Sequence, residues 1–203
     1  MQITLEQIKE LRKLTGAGVT NVKEALEHSK GDIDKAVEYL REKGVAKAAK
    51  RADKQADKGF IAHYIHGDGT IGVLVELNAE TDFTARNEKF RELAHNLALH
   101  IAANKPEYIS RENVPADILN KEKEIAKASI EGNKPEAVVE KILEGKMQKF
   151  YEEVVLLEQV YVKDDTKKVE DLVNEAIAAI GEKIEIGRFC RFQIAATSNS
   201  CGL

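Results

Sequence analysis

The chain has 203 residues, with 31 Lys and Arg against 35 Asp and Glu, a formal charge of −4 and no tryptophan. That length can bury a sizeable core in one or two domains, whereas a dedicated nucleic-acid binder would carry a basic surplus this chain lacks. No apolar run nears the roughly 20 residues of a membrane span, no signal-peptide pattern opens the chain, and Cys190 and Cys201 are too few for a disulfide framework or zinc site.

Residues 1–44 read as three short helices. Thr4 and Gln7 have capping-box spacing, and Leu5, Ile8, Leu11 and Leu14 make one apolar face. Gly16-Ala17-Gly18 breaks the first helix. Val22, Ala25 and Leu26 mark the second, which ends near Ser29-Lys30-Gly31. Asp32 caps a third, with Ile33, Ala36, Val37 and Leu40 inward and Gly44 as its stop. Eight basic and eight acidic residues leave this module without electrostatic bias. Residues 45–58 then carry five basic and two acidic side chains and almost nothing apolar larger than alanine. They read as a solvated, partly helical basic linker.

The period changes at Gly59. Gly59–His66 and Thr70–Asn78 look like strands joined by Gly67-Asp68-Gly69, a hairpin signal. Val73, Val75 and Leu77 share one strand face, and Phe90, Leu93, Ala94, Leu97 and Ile101 recur at helical spacing. Thr81, Asp82 and Phe83 therefore sit on a strand-to-helix corner. Residues 116–130 and 135–149, around Gly132-Asn133-Lys134-Pro135, suggest a projecting helical hairpin. Glu153–Val162 reads as a third strand and Val169–Ile180 as a helix. A final strand carries Ile184, Ile186, Phe189 and Phe192, with a bulge near Gly187-Arg188. Cys190 reads as a free thiol, consistent with a reduced cytoplasmic setting, and residues 197–203 as a disordered tail. The fold class is α+β, with an antiparallel sheet and helices on one face.

Catalytic chemistry finds little support. His28, His63, His66, His95 and His100 fall in no metal-binding spacing, and no serine occupies a nucleophile elbow. The Thr81-Asp82-Phe83 corner admits two readings. Thr81 or Asp82 can cap the helix while Phe83 packs back as a staple, or the ring and its neighbouring carboxylate face outward as an anchor for a partner.

Several blocks together resemble bacterial elongation factor Ts, the guanine-nucleotide exchange factor family of elongation factor Tu. They are Leu11-Arg12-Lys13-Leu14-Thr15-Gly16-Ala17-Gly18, Lys23-Glu24-Ala25-Leu26 and Gly31-Asp32-Ile33-Asp34-Lys35-Ala36. Gly72-Val73-Leu74-Val75-Glu76, Glu80-Thr81-Asp82-Phe83, Lys105-Pro106-Glu107-Tyr108-Ile109 and Glu144-Gly145-Lys146-Met147 follow. Thr84, where the family often has valine, and the polar tail beyond Ala196 depart from its pattern.

The resemblance implies a ubiquitin-associated-like module at residues 1–44, docking on the G domain of elongation factor Tu through Leu14, Gly16, Ala17, Gly18 and Val19. It implies that Asp82 and Phe83 enter beside the partner's magnesium site, with Thr81 next to them among the partner-binding residues. The chain would then need no cofactor and no covalent catalysis of its own, acting on GDP and Mg²⁺ held by the partner. Tyr64-Ile65-His66-Gly67 resembles a block that places a histidine near the partner's phosphate loop. Likeness to the short, single-core members implies a homodimer and a two-plus-two complex, with strand Arg188–Ile194 as a pairing edge. The competing expectation is an adaptor or chaperone-like module whose helices bind ubiquitin-like or nascent-chain partners.

Overall fold

The computed structural model of the chain describes residues 3–130, 135–195 and 200–202. Its amino-terminal helices are α1 (Leu5–Thr15), α2 (Val19–His28) and α3 (Ile33–Arg51). Thr4 and Gln7 form the expected reciprocal cap: Gln7 N–H donates to Thr4 Oγ1 at 3.2 Å and Thr4 N–H to Gln7 Oε1 at 3.0 Å. Gly16 closes α1 with φ +64°, a conformation open to glycine at little cost. Asp32 caps α3 by accepting from Lys35 N–H at 3.1 Å. Ile8, Leu11, Val22, Ala25, Leu26 and Ala36 form the module's core. The apolar face expected of α1 is narrower than its spacing suggests. Only its middle turns are buried, and Leu5 and Leu14 face solvent.

Gly44 does not stop α3. A Cβ there would lie 3.3 Å from the Asn174 carbonyl oxygen, so this glycine permits close approach to α8 (Val169–Ile180). Arg41 grips Asp171 through two bonds, Nε–Oδ1 at 2.8 Å and Nη2–Oδ2 at 2.6 Å, and Lys47 Nζ donates to the Ala178 carbonyl at 3.1 Å. These anchors offset the roughly 0.5–1 kcal/mol that a mid-helix glycine costs. Residues 45–51, expected in the linker, are therefore helical.

The larger sheet contains β1 (Lys58–His66), β2 (Ile71–Ala79), β5 (Ile184–Gln193) and β6 (Ser200–Gly202), in the order β1-β2-β5-β6. Gly67 and Gly69 take positive φ, +56° and +86°, in the turn joining β1 to β2. Val73, Val75 and Leu77 are buried on β2 while Leu74 faces out, as alternation requires. On β5 the buried phase shifts by one residue across Gly187-Arg188: Ile184 and Ile186 lie inward, then Phe189 and Arg191. Phe192, one of the apolar residues of this strand, is consequently exposed.

Two other expectations change at this end. Cys190 is not a free thiol but is disulfide-bonded to Cys201, its direct antiparallel partner in the β5–β6 pair. The tail residues 200–202 form β6 on the edge of β5 at Phe189–Arg191, so that stretch of the expected pairing edge is already occupied. The other tail residues, 197–199 and 203, lie outside the described residues.

After β2 come α4 (Asp82–Arg86) and α5 (Glu88–Asn104), separated at Asn87, whose ψ of 133° breaks the helix. Phe90, Leu93, Ala94, Leu97 and Ile101 make the buried stripe of α5 as their spacing predicts. The helical hairpin consists of α6 (Ala116–Ala128) and α7 (Glu136–Val154), which pack on each other. The expected turn at 132–134 lies outside the described residues. α7 runs past residue 149 and absorbs the start of the expected third strand. Leu156 N–H then donates to the Tyr108 carbonyl at 2.8 Å, and a 3-10 turn covers Leu156–Glu158. What remains of that strand is β3 (Val160–Tyr161), paired with β4 (Asp164–Lys168) in a separate two-stranded sheet.

His100 is buried within the second of two compact units. Gln159 Oε1 lies 3.0 Å from its Nε2, and Val162 N–H donates to its Nδ1 at 3.2 Å. The Nδ1 acceptor role requires a neutral ring, and burial lowers the imidazole pKa below its ordinary value. The first unit comprises Met1–Ile61, Glu76–Ala94 and Glu170–Glu185; the second comprises Ala62–Val75, His95–Val169 and Ile186–Leu203.

Candidate partner-binding site

The first unit holds both the three-helix module and the Thr81-Asp82-Phe83 corner. The corner is fixed from below by carboxylates distant in sequence. Thr81 caps α4, its Oγ1 accepting from Thr84 N–H at 3.3 Å. Glu182 holds Thr81 in turn: the Thr81 N–H donates to Oε2 at 3.0 Å and the hydroxyl to Oε1 at 2.8 Å. Glu80 accepts from Arg51 Nη1 at 2.7 and 2.9 Å and from Lys183 N–H at 2.5 Å. The Lys183 amide, then Arg51, hold the Glu80 carboxyl below its ordinary pKa, so it stays ionised and tethered.

Above this base, Thr84 and Ala85 are buried and Phe83 is 80% exposed. The ring therefore does not fold back as a staple. Asp82 stands beside it, with Oδ2 3.0 Å from Arg86 Nη2 in an exposed i,i+4 pair. Such a pair contributes only about 0.3–0.5 kcal/mol, so the Asp82 carboxylate can exchange Arg86 for another cation or donor cheaply. The corner is a rigid pedestal carrying an apolar ring and an easily released anion.

The module's turn lies in the same unit. Leu14 and Val19 are exposed, 55% and 43%, with Gly16 and Gly18 exposed and Ala17 half-buried between them. No atom stands within 4 Å of a Cβ placed at Gly16 or Gly18, so both open to solvent. Lys89 Nζ donates to the Gly16 carbonyl at 3.0 Å and ties this edge to α5, six residues beyond Phe83. His66 belongs to the second unit, exposed at the end of β1 with Nδ1 3.1 Å from the Tyr64 hydroxyl. The residues missing from the sequence reading are the supports: Glu182, Arg51 and Lys89. Arg51 falls in a segment whose charges look solvated, and Glu182 lies 101 positions from its partner.

The family model described as Elongation factor TS matches residues 2–196. The chain belongs to the elongation factor Ts family. It is 54% identical over 194 residues to elongation factor Ts of Thermotoga maritima, covering 96% of this chain and 97% of that protein. It is 52% identical over 199 residues to the Thermodesulfovibrio yellowstonii protein of that name, covering 98% and 100%. With the Acetivibrio thermocellus protein of that name it shares 55% over 192 residues, covering 94% and 89%. The segment matched by the elongation factor Ts model includes the module edge, the corner and His66, and stops short of Cys201. Among the described residues no helix is long and apolar enough to cross a membrane.

Proposed function

We propose that this chain is the guanine-nucleotide exchange factor of elongation factor Tu in the cytoplasm. The edge formed by Leu14, Gly16, Ala17, Gly18 and Val19 docks on the G domain. Asp82 and Phe83 then enter beside the magnesium site, and the metal and GDP loosen together. No bond is made or broken, and GTP rebinds to the emptied site. The reaction is linkage: a factor that binds the nucleotide-free partner more tightly than the GDP-bound one accelerates release, and GDP weakens the factor's own binding by the same ratio.

The observation that carries this reading is the 80% exposure of Phe83 on a corner clamped by Glu80 and Glu182. An aromatic ring in water costs solubility unless it is used, and a rigid one loses little entropy on insertion. His66, exposed on β1, is assigned to the same partner near its phosphate loop, and a homodimer supplies two such surfaces per complex. The functional test is release of fluorescent GDP from elongation factor Tu with and without this protein. Acceleration that rises with factor concentration and saturates supports the reading; an unchanged release rate rejects it in favour of an adaptor role.

A further inference from the structure

Arg191 is a buried cation whose charge no side chain answers. Only 4% of it is exposed. Its Nε and Nη2 both donate to the Ala102 carbonyl at 3.2 Å, and Nη2 also donates to Gln193 Oε1 at 2.9 Å. The carbonyl lies in the last turns of α5, so one edge of the guanidinium is used to hold that helix end. These acceptors are all neutral. Among the described residues no carboxylate pairs with Arg191, and its Nη1 makes no hydrogen bond. Burial alone lowers its pKa, with no opposing charge to raise it. Among the described residues no buried side-chain nitrogen or oxygen lacks a hydrogen-bond partner, so the unbonded Nη1 reaches solvent rather than being sealed in protein. The rest of the guanidinium is buried against neutral acceptors alone, which is costly for a cation.

What Arg191 faces is a cavity of about 300 Å³ within the second unit. Lys105, His66, Tyr64 and Gln193 share its lining, and no acidic side chain does. Lys105 is held at φ +53°, immediately after α5, in a conformation that L residues adopt rarely. Leu99 and Ile71 supply apolar wall. Two permanent cations, a hydroxyl, an imidazole and an amide beside apolar wall match a doubly charged headgroup on a small apolar body.

We propose that this cavity is a binding site for a small phosphate monoester, with Arg191 Nη1 and Lys105 taking the phosphate and Leu99 and Ile71 the organic part. Recognition by Arg191 uses the edge of the fork left free by Ala102. The cavity uses none of the residues of the Asp82–Phe83 corner but shares His66 with the partner surface proposed above, and a test on the protein alone can fail without touching the exchange reading.

The test uses phenyl phosphate and the protein alone, with binding followed by calorimetry and by the NMR signals of the His66 and Tyr64 rings. Saturable binding that shifts both rings is expected. Lys105→Gln should weaken it about tenfold, the loss of one charge-assisted hydrogen bond, and Arg191→Met should abolish it. Benzoate, with a single charge, should bind more weakly. No saturable binding, binding unaltered in Lys105→Gln, or benzoate binding as tightly as phenyl phosphate overturns the proposal. Arg191→Met also removes the hydrogen bonds to Ala102 and Gln193, so its melting temperature should fall whether or not the cavity takes a ligand, and the binding comparisons decide.

Discussion

Replacing Phe83 by alanine separates the folding role of this ring from its role in recognition. A phenylalanine presents about 150–250 Å², and with 80% of the residue exposed only about 30–50 Å² is covered in the free protein. At ~25 cal/mol per Å² that is about 1 kcal/mol of folding stability at most. The exposed remainder, about 120–200 Å², is worth about 3–5 kcal/mol if a partner pocket covers it fully. The second figure corresponds to a factor on the order of 10²–10⁴ in an equilibrium constant. Only the share expressed in the nucleotide-free complex accelerates exchange, so a loss of about 10- to 1000-fold is expected in the concentration-dependent rate. The assay is stopped-flow release of fluorescent GDP from elongation factor Tu, with circular dichroism melting of the variant alongside. A Phe83→Ala protein that melts like wild type and exchanges poorly fits the reasoning. One that exchanges within about twofold of wild type, well under the 1.4 kcal/mol of a decade, refutes it. One that melts far lower shows instead that the ring packs internally.

Thr81→Val removes the α4 cap and the hydroxyl bond to Glu182 while keeping the backbone N–H bond to it; it should cost about 1–2 kcal/mol by denaturant titration and slow GDP release although Phe83 is unaltered. His100 is held neutral by burial, with a folded-state pKa below its unfolded value. Its contribution is therefore complete above about pH 6.5 and is lost as pH falls below that toward the folded pKa. The melting temperature should drop on acidification, and His100→Gln should flatten that slope. Glu158, held by Arg111 and then Lys168, has its pKa lowered to about 2. Its contribution is present above about pH 4.5 and is lost as pH falls through about 2, with a ceiling of about 3 kcal/mol. Glu158→Gln should remove that acid transition in a pH-dependent unfolding series. Cys201→Ser should release β6 from β5 and open the edge at Phe189–Arg191; light scattering should then show more dimer than in the disulfide-bonded protein, and equal masses would exclude this edge as the dimer contact.

The elements visible in the sequence are those whose buried residues answer to one partner at regular spacing. Phe90, Leu93, Ala94, Leu97 and Ile101 all turn inward on α5, and Val73, Val75 and Leu77 do so on β2. The failures share a cause: a residue with two possible roles chose between them on a contact far away in the chain. Gly44 has the composition of a helix stop, yet the backbone of Asn174 gives it a packing role inside α3. Cys190 looks like a lone thiol until β6 returns Cys201 opposite it. Glu153 and Val154 have apolar neighbours suited to a strand, but α7 continues through them, and the chain then pairs at Val155 with Tyr108.

The candidate site shows the same limit most sharply. Locally, Thr81-Asp82-Phe83 is compatible with both a staple and an anchor, because capping uses Thr81 whichever way the ring points. The orientation follows from what secures the base. Glu182 fixes the Thr81 backbone and hydroxyl, and Glu80 is saturated by Arg51 and the Lys183 amide. With the strand end clamped and Thr84 and Ala85 filling the inward side of α4, no inward position is left for the ring. Asp82, one residue earlier, shares that outward side and keeps only a weak pair with Arg86. If this is the cause of the exposure, cutting Glu182 from Thr81 should let Phe83 relax. In Glu182→Ala, fluorine NMR of a 4-fluorophenylalanine placed at Phe83 should report a broadened, multi-state environment. A single sharp resonance identical to wild type would show that α4 alone sets the ring's direction.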